Sequence, residues 1–258
     1  MSVSLAPTAP LAASRPRIPR AIQLLFAADL TVGLLFVLNV VVANALGVER
    51  TDFLRSGVEA NLPTWYAVVQ LALIGLVLLP LAVRDVRLAR PSTWAIALGP
   101  LFFLLLSLDE GAMVHERIGL WMTAQGAGTE TFSETAPWLF ALAPLYGLIA
   151  LATARAWWPY VKGRRFTIGL FVVGAGLLGF CAAGMEGLMF ALDAQHGLLG
   201  KAMSVVEETG ELIAATLMLW GALRLVQAEG IRLVLGRPET HTPAPRATRP
   251  TPTDAAWS

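Results

Sequence analysis

Carboxylates and one imidazole recur where an apolar chain has least use for them. One run reads Ser107-Leu108-Asp109-Glu110-Gly111-Ala112-Met113-Val114-His115-Glu116-Arg117. A second holds Glu186, followed by Asp193 and His196, and a third reads Glu207-Glu208-Thr209-Gly210-Glu211. On one continuous helix Asp109 and Glu116, seven apart, share a face, with Glu110 and His115 to either side. Glu207 and Glu211 form an i,i+4 pair and Glu208 and Glu211 an i,i+3 pair, together spanning an arc of about 100°. Glu186 and Asp193 also share a face. Crowded carboxylates in a low dielectric must be protonated or neutralised by a cation. Oxygen ligands with one or two imidazoles suit iron, manganese or zinc, and helix bundles build such centres from inward Glu and His. The candidate metal ligands are Asp109, His115, Glu116, Glu186, Glu208 and Glu211. Glu110 and Glu207 are the candidate proton-transfer residues.

Plainer readings compete. Ser204-x-x-Glu207 fits a capping box, with Glu207 and Glu208 favouring a helix N-terminus. Ser107-x-x-Glu110 fits another, if the helix breaks there. Glu116 and Arg117 fit an interfacial pair, and His196 a solvated loop. Asp29 falls in an apolar stretch away from the cluster and receives no role.

The elements that must position these groups are membrane spans. Of 258 residues, 56% are hydrophobic and 14% charged, against about 25% charged in an ordinary soluble domain. A net charge of +1 argues against a nucleic-acid partner held by bulk charge. The single cysteine, Cys181, excludes an intrachain disulfide and reads as a small buried hydrophobe. Six apolar stretches, at about 21–45, 64–83, 93–119, 136–157, 166–192 and 203–226, are each long enough for the ~20 residues that a bilayer core demands. The expected fold is an all-α polytopic transmembrane bundle over 21–228, flanked by disordered tails at 1–20 and 229–258. Ala43-Asn44-Ala45 resembles a cleavage site, but the first stretch far exceeds the ~7–15 apolar residues of a signal peptide, so a retained helix is expected. Arginines gather before the first stretch, at 84–90, at 155–165 and after the last, which puts both termini in the cytoplasm. In that orientation Asp109 lies about 24 Å along its span at 1.5 Å per residue. Asp109, Glu186, Glu208 and Glu211 are then expected to share one pocket in the outer half. Ala175, Gly179, Ala183 and Gly187 recur every four positions, a stripe that lets another helix, in this chain or in an oligomer partner, approach closely.

Leu106-Ser107-Leu108-Asp109-Glu110 with His115-Glu116, followed by Glu207-Glu208 and Glu211, resembles a pattern in uncharacterised polytopic bacterial membrane proteins. The resemblance spans the last four stretches and implies a shared site without a known activity. Glu207-Glu208-x-x-Glu211 resembles the paired Glu of intramembrane prenyl-peptidase-like proteins only in part, since the Arg and further His motifs of that family are missing. Arg-rich, Lys-poor, Ala-rich usage is the habit of a GC-rich bacterial genome and points to a multi-pass protein of the bacterial inner membrane. Three functions fit these residues: a metal-dependent membrane enzyme (hydrolase or oxidase), a proton- or cation-coupled transporter, and a structural subunit of a membrane complex. The lack of an inner-half acid cluster apart from Asp29 weighs against transport.

Overall fold

The computed structural model describes residues 18–49, 51–54, 61–88, 93–126, 137–192 and 197–231. The expected tails fall largely outside these residues, as do Asp193, His196 and His241. Eight α-helices follow in order: α1 (Arg20–Leu46), α2 (Leu62–Arg87), α3 (Thr93–Ala112), α4 (Val114–Ala124), α5 (Pro137–Val161), α6 (Arg165–Gly179), α7 (Met185–Ala191) and α8 (Gly197–Ala228). A π-helical turn, Phe180–Gly184, joins α6 to α7. Among the described residues six segments are long and apolar enough to cross a membrane: Arg20–Leu46, Leu62–Asp85, Ala95–Ala112, Pro137–Val161, Arg165–Gly184 and Gly197–Ala228. The chain is a polytopic α-helical membrane protein. Its exposed faces carry Leu24, Leu34, Phe140, Leu148, Leu151 and Val172, side chains suited to hydrocarbon rather than water.

α8 is the axial helix. It packs against α1, α2 and α6, and α2 in turn packs against α3. The main core joins Leu71, Ile74, Leu78 and Leu81 of α2 to Met218, Leu219, Ala222 and Leu225 of α8. Small residues set the close approaches. A Cβ on Gly33 of α1 would stand 2.6 Å from Thr209 Oγ1 of α8. One on Gly174 of α6 would stand 2.6 Å from Met218 Cγ and 3.0 Å from the Ala214 carbonyl. α5 is peripheral, packing mainly on α3 and α4, with the Trp157 indole donating to the Ile96 carbonyl at 3.1 Å.

Several boundaries differ from the sequence reading, each for a physical reason. The third stretch is two helices, because Met113 adopts the left-handed conformation (φ 56°, ψ 40°). Asp109 and Glu116 therefore sit on different helices, and their seven-residue spacing no longer aligns them. The fifth stretch is interrupted by the π turn, which shifts the register of the Ala175, Gly179, Ala183 and Gly187 stripe. Ala175, Gly179 and Gly187 are exposed, and no atom lies within 4 Å of a Cβ placed on Gly179 or Gly187. The seam with α8 uses Gly174 instead. α8 begins at Gly197, so Ser204 and Glu207 are interior and the capping-box reading of that pair fails. α2 runs on to Arg87, making Arg84 and Asp85 helical rather than loop residues. Glu229, Gly230 and Ile231 are packed rather than part of a tail, with Ile231 in the main core.

Candidate functional sites at three depths

The outermost site is built on the α3–α4 break. A left-handed Met113 redirects the chain and leaves the first N–H groups of α4 without helical acceptors. Asp109 supplies one, its Oδ1 accepting from the His115 backbone N–H at 2.9 Å. Its Oδ2 lies 3.1 Å from His115 Nδ1. The Tyr146 hydroxyl is a further partner of the same carboxylate, and the Trp138 ring packs edge-on against the imidazole at 5.1 Å. Burial alone would lower the His115 pKa. The hydrogen bond and charge of Asp109, with the charges of Glu110 and Glu116, outweigh that and hold it above the usual histidine value. Asp109 is buried, while Glu110, His115 and Glu116 are half-buried. The arrangement is an acid–imidazole pair able to hold or pass a proton.

Glu207, Glu208 and Glu211 are half-buried on the outer half of α8. Each has interaction partners within the chain. α3 packs on α2 and α5, and α2 is the helix packed on both α3 and α8. Asp109 and the α8 glutamates thus belong to different helices that both pack on α2. Among the described residues no three His, Cys, Asp or Glu side chains converge as a metal-holding group. Glu186 lies on α7, but its side chain is outside the described ones.

The middle site surrounds Asp29, which is wholly inaccessible. Nine residues into α1, it stands about 13 Å from the helix start, inside an apolar span. Its Oδ1 accepts from the Tyr66 hydroxyl at 2.9 Å and from Gln70 Nε2 at 2.9 Å. Its Oδ2 accepts from Thr216 Oγ1 at 2.7 Å. Gln70 Nε2 also donates to Thr216 Oγ1 at 3.0 Å, and the buried Gln70 Oε1 has no partner. α1, α2 and α8 therefore meet around a carboxylate held by three uncharged donors.

The third site closes the end of the bundle where α2, α5 and α8 finish and α6 begins. Asp85, also wholly inaccessible, accepts a hydrogen bond from the Tyr160 hydroxyl and faces Arg84 Nε at 3.5 Å. Glu229 bridges two arginines, accepting from Arg84 Nη2 at 2.9 Å and from Arg164 Nη2 at 2.8 Å. α2, α5 and the ends of α6 and α8 are tied together there.

Neither inner site emerges from motif reading. Tyr66, Gln70 and Thr216 are uncharged and lie 37, 41 and 187 residues from Asp29. The available signal was the expense of an acid inside an apolar span. Asp85 looked like a loop residue because it sits among arginines.

A family model described as "Domain of unknown function (DUF8692)" matches residues 24–226. No curated protein and no solved structure matches the chain.

Proposed function

The chain belongs to the DUF8692 family, whose description assigns no activity, and we propose from its geometry that it is a proton- or cation-coupled transporter of the bacterial inner membrane. One observation carries the reading: Asp29 is sealed within an apolar span among Tyr66, Gln70 and Thr216, with no basic residue among its hydrogen-bonding partners. A carboxylate in such a place is stabilised by taking up a proton or a small cation. Releasing that charge to one side and reloading from the other is the elementary step of coupled transport. The objection raised by the sequence, an inner half with no acid cluster apart from Asp29, is weakened by Asp85. Asp29 and Asp85 are both buried, and they continue inward a series that starts with Asp109–His115 and the α8 glutamates.

The test is ion movement into proteoliposomes under an imposed pH or Na⁺ gradient, followed with an entrapped indicator. The wild type should take up protons or Na⁺. Asp29→Asn, which keeps the shape and resembles the protonated acid in having one acceptor and one donor end, should abolish uptake while leaving the thermal midpoint within a few degrees. A wild type that moves neither ion, or an Asp29→Asn protein that moves them as well as the wild type, overturns the reading.

A second reading, a metal-dependent membrane enzyme using iron, manganese or zinc, is favoured by the contact of Asp109 with His115. Glu110 and Glu116 act on the same imidazole. Under it, chelators lower the thermal midpoint, one of these metals restores it, and His115→Ala removes the response. A midpoint indifferent to both counts against it. The outward-facing Ala175 and Gly179 support a further subunit or second copy at that face.

A further inference from the structure

We infer that the groove between α6 and α8 binds an anionic phospholipid of the cytoplasmic leaflet, with its acyl chain along the groove and its phosphate between Arg165 and Arg224. The groove, about 520 Å³, is lined by Arg165, Phe166, Gly169, Leu170, Val173 and Leu217. Five of the six are apolar or glycine, and the one charged residue stands at the first turn of α6, at the membrane surface. Arg224 lies beside the same mouth, its guanidinium 5.0 Å from the centre of the Phe166 ring. Its buried Nε has no hydrogen-bond partner.

A third donor is available beside the groove. Trp220 is only 6% exposed, and its Nε1 has no partner. Its ring packs edge-on against Phe166 at 5.1 Å, and it shares a cluster with Leu170. The polar groups at the groove are donors: two guanidinium groups and an indole N–H. Glu229 is engaged by Arg84 and Arg164, and among the described residues Arg165 and Arg224 form no ion pair with it. Donors without a countercharge select an anion.

Their order along the membrane matches a phospholipid. Going toward the cytoplasm on α8, Leu217 is followed by Trp220 about 4–5 Å further on and Arg224 about 6 Å beyond that. Apolar lining, a single N–H donor and a guanidinium group therefore succeed one another along α8, with Arg165 at the first turn of α6, as acyl chain, ester carbonyl and phosphate do. Basic pockets between helices on the cytoplasmic side are where anionic headgroups are held.

Phosphatidylglycerol, phosphatidylcholine with the same acyl chains, and inorganic phosphate would be added separately to the detergent-purified full chain, reading the thermal midpoint and bound lipid by native mass spectrometry. Phosphatidylglycerol should raise the midpoint and stay bound, and the other two should not. Arg165→Gln with Arg224→Gln should weaken its binding by about tenfold or more. Because losing Arg224 also removes its contact with Phe166, a second variant isolates the groove. No atom lies within 4 Å of a Cβ on Gly169, a groove-lining residue, so Gly169→Leu introduces bulk at the groove with no clash at its branch from the backbone. It should leave the lipid-free midpoint unchanged and remove the lipid-dependent rise. An equal rise with phosphatidylcholine refutes headgroup selection. A rise with inorganic phosphate alone reduces the site to a free-anion site. A rise that survives Gly169→Leu overturns the groove.

Discussion

At the scale of single residues, the chain treats two acids in different ways. Asp29 is satisfied by three donors from two other helices, so removing its oxygens strands the Thr216 hydroxyl and leaves Gln70 only Thr216 and Tyr66 only a 3.5 Å approach to the Leu25 carbonyl. Each buried donor left unpaired costs about 1–3 kcal/mol. Asp29→Leu should therefore destabilise the protein by about 1–3 kcal/mol in reversible unfolding from micelles, with Asp29→Asn costing much less. Asp109 instead shares its carboxylate with a titrating partner outside the spans. The folded-state pKa of His115 is raised, so its ion pair contributes stability that is fully present below the unfolded value of about 6.5. That contribution is lost as pH rises through the folded-state value. Midpoints recorded from pH 5 to 9 should fall across that upper window in the wild type. They should change less in His115→Gln. The sequence made Asp109 and His115 legible as a pair because both are chemically conspicuous. Tyr66, Gln70 and Thr216 were not, since uncharged residues gain meaning only from the fold that assembles them.

At the scale of elements, hydropathy located every span, whereas local backbone geometry decided the details of helix breaks. Nothing in Ala112-Met113-Val114 announces a left-handed residue. Glycine is the usual occupant of that conformation, and for methionine it costs about 1–2 kcal/mol. Asp109 compensates by capping α4. Met113→Gly should therefore be neutral or stabilising by up to about 1 kcal/mol, and the β-branched Met113→Ile destabilising by about 1–2 kcal/mol. The five-residue π turn was equally hidden; it takes Gly187 out of line with Ala175 and Gly179, and the small residue at the α8 seam is Gly174. Because a Cβ there meets both the Met218 side chain and the Ala214 carbonyl, Gly174→Val should cost about 1–3 kcal/mol by forcing α6 from α8. Gly169→Ala, which meets open space, should change stability by less than about 0.5 kcal/mol. Unfolding midpoints of the two variants side by side distinguish a packed glycine from a lipid-facing one.

At the scale of the whole molecule, the disposition of charge fixes which site faces which compartment. Six spans return the chain to the side on which it began, and the positive-inside rule makes that side the cytoplasm. The Arg84–Glu229–Arg164 closure then lies inside, and Asp109 and His115 lie toward the outside. The buried sole cysteine makes this directly measurable, since Cys181 is only 2% exposed and should resist a membrane-impermeant maleimide. Gln125, just beyond α4, and Lys162, between α5 and α6, are both exposed and tolerate replacement by cysteine without straining the backbone. Intact cells carrying Gln125→Cys should label with the impermeant reagent, whereas Lys162→Cys should label only after permeabilisation. The opposite pattern would place the acid–imidazole pair on the cytoplasmic face. It would also move the arginine-lined groove of α6 and α8 to the outer leaflet, where the expected surplus of anionic lipid is lost. Labelling of both positions from outside would mean that the chain crosses an even number of times between them, contrary to a single spanning α5.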